Sequence, residues 1–219
     1  MRVASPGILP CQSIEGLIAT AAITSSRAFD IDQVQPASLD LRLGARVWRV
    51  RASFLPGLGR TVRERIDHVS MHELDLTGAV VLERGCVYIA ELQERLDLPA
   101  GISARANPKS STGRVDVFAR LLTDNSAAFD DVADGYRGPM FVETHGSPFG
   151  RGVSLDGAVF AKQLTSAFSI PTLRFTTTRT EAPQADHRLV FAFDPPDALR
   201  LESLCAGQVQ AGVVRKADI

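Results

Sequence analysis

From Ala79 onward the chain is punctuated at short, even intervals, and that spacing limits what it can fold into. Apolar pieces at Val80 to Leu82, Val87 to Leu92, Ile102 to Ala106, Val115 to Leu122, Pro139 to Glu143, Ala158 to Leu164 and Leu189 to Phe193 are separated by turn residues such as Arg84-Gly85 and Pro99-Ala100-Gly101. Strands this short pair antiparallel with their neighbours, which predicts a mainly β barrel or jelly roll rather than alternating strand–helix units. Upstream, Leu39, Leu41 and Leu43 alternate with polar residues over Gln35 to Gly44, the period of a half-buried strand ending in a glycine turn, and Ala45 to Val50 continues the sheet. A short amino-terminal helix over Ile14 to Ile23, capped by Ser13, follows from apolar residues at helical spacing. Ala52 to Leu74 reads as surface loop around Pro56-Gly57 and Gly59, with little chemistry. Thr176 to His187 is polar, so Met1 to Phe175 is expected to form the main domain and Thr176 to Ile219 an appendage.

Composition narrows the class. With 219 residues, 45% of them apolar, the chain can bury a sizeable core. A net charge of −1 disfavours an electrostatically driven nucleic-acid binder and leaves room only for a local basic pocket. Cys11, Cys86 and Cys205 form no Cys-x-x-Cys arrangement, so neither a disulfide framework nor a zinc knuckle is indicated, and a reducing cytoplasm fits. No apolar run approaches the roughly 18 residues of a spanning helix, and the start shows no leader pattern, so a soluble protein is expected.

The chemistry is concentrated between Asn107 and Glu143. Lys109-Ser110-Ser111-Thr112-Gly113-Arg114 gathers three hydroxyls and two cations in six residues beside an uncrowded glycine, a pattern suited to a phosphorylated ligand. Pro108 stands where a P-loop needs glycine before its lysine, so that motif is absent. His68, His72, His145 and His187 lie in no His-x-Glu context with a Pro-Cys-x-x-Cys partner, which argues against a zinc deaminase. No nucleophile elbow is present. Glu143 closes the apolar run Met140-Phe141-Val142, a setting that can suit a carboxylate to general acid/base work, although a strand-end glutamate at the surface is the ordinary alternative. Arg114, as a loop arginine, likewise has the surface ion-pair partner as its ordinary reading.

Three separated motifs, Gln35-Pro36-Ala37-Ser38-Leu39-Asp40-Leu41-Arg42-Leu43, Asn107 to Arg114, and Gly135-Tyr136-Arg137-Gly138-Pro139, resemble the dCTP deaminase family of the dUTPase-like superfamily, most of all its longer bacterial form. The resemblance runs from about Gly7 to Glu143. It implies a distorted β-barrel or jelly-roll subunit, a homotrimer with interfacial sites, and Mg²⁺ carried in with the triphosphate, with no zinc. It implies metal-free deamination of dCTP to dUTP and ammonia, with Glu143 shuttling protons, Ser110 holding the water and Arg114 stabilising the reacting centre. Lys109 and Ser111 would contact the phosphates, and Thr112, Tyr136 and Gln163 complete the implied binding set. Gln35 and Asp40 are expected to support the fold.

The superfamily's aspartate before Gly-Tyr falls one place late here, at Asp134, and one place reverses side-chain direction in a strand, so Asp130 is the alternative candidate for triphosphate cleavage. After Glu143 the family pattern survives only in fragments: Ser147-Pro148-Phe149, Lys162-Gln163-Leu164 and Leu173-Arg174-Phe175. Two competing readings therefore stand beside the deaminase: a bifunctional enzyme that continues to dUMP, and a catalytically incomplete nucleotide-binding or structural relative.

Overall fold

A computed structural model describes residues 7–77, 82–83, 85–110, 117–146 and 169–177. The chain divides into two units, Met1–Thr178 and Arg179–Ile219, and every described residue belongs to the first. The strands expected near Val80, Ala158 and Leu189 lie outside the described residues, as does most of the proposed appendage.

The elements run α1 (Cys11–Ala19), β1 (Ile23–Ser25), β2 (Val34–Gln35), β3 (Ser38–Val50), α2 (Val62–Val69), β4 (Ser70–Asp75), β5 (Val87–Asp97), β6 (Ile102–Pro108), β7 (Val117–Thr123), β8 (Asp131–Val132), β9 (Arg137–Gly146) and β10 (Ser169–Thr177). The strands form one antiparallel sheet in the order β7-β9-β5-β3-β10-β6-β8, with β1 added to β5, and β2 and β4 added to β3. Asp130 joins its ends. Its backbone N–H donates to Leu121 O of β7 (3.0 Å), and its carbonyl accepts from Ala106 N of β6 (2.9 Å). It does so at φ 62°, a left-handed conformation that aspartate tolerates better than most residues. The result is the distorted β barrel expected from the strand spacing.

Each face of the curved sheet buries its own cluster. Leu39, Leu41, Leu43, Ala90, Leu121, Val142, Leu173 and Phe175 lie in the larger core, while Trp48, Val50, Ile89, Leu122 and Phe141 pack on the other face beneath Val62 and Ile66 of α2. The period of two sorts β9 the same way: Val142 belongs to the first core and Phe141 to the second. Glu143, two residues beyond Phe141, therefore shares the face covered by α2.

Three local expectations are corrected. The first helix begins at Cys11 behind Pro10, with no side-chain cap, so Ser13 sits inside the first turn. It ends at Ala19 because Ala21 turns left-handed (φ 58°), and Ala21 N and Ala22 N bond back to Ile18 O and Leu17 O in a Schellman closure. Gly44 is not a turn: β3 runs on to Val50, and the register against β5 shifts between Leu43 and Val47. A Cβ at Gly44 would lie 2.8 Å from Glu91 O, so the bare backbone permits this close approach. The supposed loop before Leu74 contains α2 and β4. Its helix starts on a capping box, Thr61 Oγ1 accepting from Glu64 N (3.1 Å) and Glu64 Oε2 from Thr61 N (2.9 Å).

Candidate active site

Glu143 sits in the middle of β9, opposite Ile89 of β5 and Arg120 of β7. It is flanked by strands on both sides and is 1% exposed. Neither carboxylate oxygen has a hydrogen-bond partner among the described residues. Arg120 Nε approaches Oε1 at 3.8 Å, an ion-pair distance outside hydrogen-bond reach. A buried carboxylate normally recruits donors. This one keeps its lone pairs open, the condition a proton-transfer group needs.

Arg120 was not singled out by sequence. In the alternating strand Val117–Thr123 it reads as one more solvent-facing residue, and only the register against β9 places it opposite Glu143. Its guanidinium lies 4.7 Å from the Phe129 ring centroid. Phe129 is held there by Asp130, whose Oδ1 accepts from Leu121 N at 2.7 Å. Burial pushes the Asp130 carboxyl upward, against the lowering effects of that N–H and of Arg120. Two rungs along the same strand pair, and so on the same face, Phe118 stacks on His145 with centroids 5.2 Å apart.

The polar motif is only partly visible. Lys109 directly follows β6, with its Nζ paired to Asp40 Oδ2 of β3. Asp40 is 2% exposed and its Oδ1 has no hydrogen-bond partner among the described residues, so Lys109 is the charge that makes its burial tolerable. Asp40 thus supports the fold, as expected, but through the very lysine expected to meet phosphate. Ser110 is exposed. Ser111, Thr112, Arg114 and Gln163 lie outside the described residues.

Tyr136, expected beside the substrate, is a buried corner residue. Its hydroxyl donates to Pro139 O (2.6 Å) and accepts from Asp124 N (3.1 Å), and burial drives its pKa up to about 12. A Cβ on Gly138 would lie 2.7 Å from that hydroxyl, which explains the glycine two places on. Asp134 Oδ1 accepts from Gly101 N in the β5–β6 turn (2.8 Å). The described residues contain no group of three or more His, Cys, Asp or Glu able to hold a metal ion. No helix among them is long and apolar enough to cross a membrane.

Residues 5–162 match the 2'-deoxycytidine 5'-triphosphate deaminase (DCD) N-terminal domain. The dCTP deaminase of Halorubrum lacusprofundi is 29% identical over 52% of this chain and 54% of its own length. The "dCTP deaminase, dUMP-forming" of Halobacterium salinarum is 28% identical over 62% of this chain and 68% of its own. The crystal structure of 2'-deoxycytidine 5'-triphosphate deaminase from Agrobacterium tumefaciens superposes with a TM-score of 0.67 at 44% identity, covering 78% of this chain and 48% of that one. The chain thus spans about half the length of the first and last of these proteins. With a family domain matched across residues 5–162 and a barrel shared with a solved relative, the chain belongs to the 2'-deoxycytidine 5'-triphosphate deaminase family.

Proposed function

We propose that the chain catalyses the hydrolytic deamination of dCTP to dUTP and ammonia. The observation that carries this reading is Glu143, a carboxylate buried to 1% exposure with neither oxygen hydrogen-bonded among the described residues. In this reading Glu143 takes a proton from water as the oxygen adds to C4 of the cytosine ring, then delivers protons to the departing amine. The C4–N bond breaks, and the ring keeps the new oxygen as the uracil carbonyl. Ser110 holds the water, Arg114 stabilises the developing charge, and Lys109, Ser111 and Thr112 receive the triphosphate. Gln163 joins the substrate contacts. Mg²⁺ arrives as part of the nucleotide, the site is completed in a homotrimer, and the enzyme works in the cytoplasm.

Release of dUTP, rather than onward cleavage to dUMP, is the favoured outcome. Asp130 and Asp134, the two aspartates available for triphosphate cleavage, each accept a backbone N–H and hold turns together. The test is incubation of the purified chain with dCTP and Mg²⁺, followed by chromatographic separation of the nucleotides. A dUTP peak with matching ammonia is expected. A dUMP peak would transfer the second activity to one of these aspartates, and bound dCTP without turnover would identify a nucleotide-binding relative.

A further inference from the structure

Arg120 has no part in the chemistry just described, yet it is the one cation at ion-pair distance from Glu143 among the described residues. Its placement is built rather than incidental. The guanidinium rests over Phe129, and Asp130 pins that ring's segment by a 2.7 Å bond from Leu121 N and a 3.0 Å bond to Leu121 O. Backbone bonds from Asn125 N to Arg60 O and from Gly57 N to Ser126 O tie down the rest of the same loop. An arginine seated on an aromatic ring has fewer orientations to lose, and the 3.8 Å gap leaves the carboxylate's lone pairs unblocked.

We infer that Arg120 is the positioning residue of Glu143, holding the buried carboxylate in one orientation by charge while leaving both its oxygens without a hydrogen bond among the described residues. This rests on the deaminase reading. The groups that face the pair are Asp130 from the loop after β7 and, two rungs away on the same face, Phe118 and His145.

The experiment compares wild type with Arg120→Gln and Arg120→Lys in dCTP deamination, and measures unfolding of Arg120→Gln, Glu143→Gln and the double variant. Arg120→Gln should lower kcat by about 10- to 100-fold, the loss that follows a small misplacement of a reacting group, with KM within about threefold. Arg120→Lys should recover part of kcat, because the charge returns without the planar seat on Phe129. The two single effects on stability should be non-additive, as for any contacting pair. Full kcat in Arg120→Gln, or additive stability effects, would overturn the inference. A wild type that binds dCTP without turning it over would overturn the deaminase reading and the positioning role with it, while non-additivity would still report the ion pair.

Discussion

Glu143→Gln separates function from stability. The substitution keeps shape and volume but removes the charge and the ability to shuttle a proton, so turnover should vanish while dCTP affinity stays within about tenfold, or roughly 1.4 kcal/mol. Stability should move the other way. Desolvating a carboxylate costs several kcal/mol. At 3.8 Å the Arg120 attraction would be about 4 kcal/mol at an effective dielectric of 20. Arg120 is 44% exposed, so solvent screening reduces that to roughly 1–2 kcal/mol. A buried amide without partners costs about 1–3 kcal/mol in turn. The balance is a gain of about 1 kcal/mol for Glu143→Gln, or roughly 2–4 °C in Tm for a chain of this size. Differential scanning calorimetry and a dCTP turnover assay on the same preparation measure both. A variant that loses more than about 1 kcal/mol would show that Glu143 is needed by the fold, and full activity would remove it from the mechanism.

Other perturbations test the surroundings. Lys109→Ala should raise KM for dCTP by about tenfold or more and destabilise the chain by about 1–3 kcal/mol, because Asp40 is left buried without its cation; Lys109→Ala with Asp40→Asn should restore stability but not KM, as urea unfolding and kinetics would show. Ala21→Gly should stabilise by roughly 0.5–1 kcal/mol in thermal unfolding, since its φ of 58° suits glycine at the helix end, and a loss would mean that the closure is not formed. Glu94 is held above its ordinary value of 4.5 chiefly by burial, so the folded state binds its proton more tightly than the unfolded one. Its contribution should therefore fall as pH rises from about 4.5 through the raised folded value. The stability of wild type relative to Glu94→Gln should shrink over that window, and an advantage growing with pH would refute the assignment.

Much of the barrel was legible because its signals are local. Leu39, Leu41 and Leu43 announce β3 by alternation, and Pro99-Ala100-Gly101 announces the β5–β6 turn. What escaped depends on pairing. Gly44 looks like a stop until Glu91 O is found beside it, and Arg120 looks like a surface residue until β7 is set in register with β9. The α2 helix was a different failure: Thr61 and Glu64 carry the capping box openly, but the charged residues around them, Arg60, Arg63, Arg65 and Asp67, resemble a solvated loop. Tyr136 was assigned by motif position. Its hydroxyl bonds to Pro139 O and Asp124 N belong to the folded corner and leave no trace in spacing.

Adjacent strands carry two buried glutamates that differ in one respect, and the difference sorts their roles. Glu94 of β5, 0% exposed, accepts from Gln33 Nε2 (2.7 Å), Arg42 N (2.9 Å) and Arg42 Nε (3.2 Å), while Arg42 reaches on to Asp30 at 2.8 Å. Those bonds fasten β3, β5 and the segment before β2 together, so this carboxylate is fully used by the fold. Glu143 of β9 is as deeply buried and, among the described residues, fastens nothing by hydrogen bonding and has one cation standing off at 3.8 Å. A core that satisfies one glutamate with three donors has the means to satisfy another or to replace it with an apolar residue. Leaving Glu143 without hydrogen bonds among the described residues lowers stability with no structural return, and the proton transfer proposed for it is a use that would account for that cost.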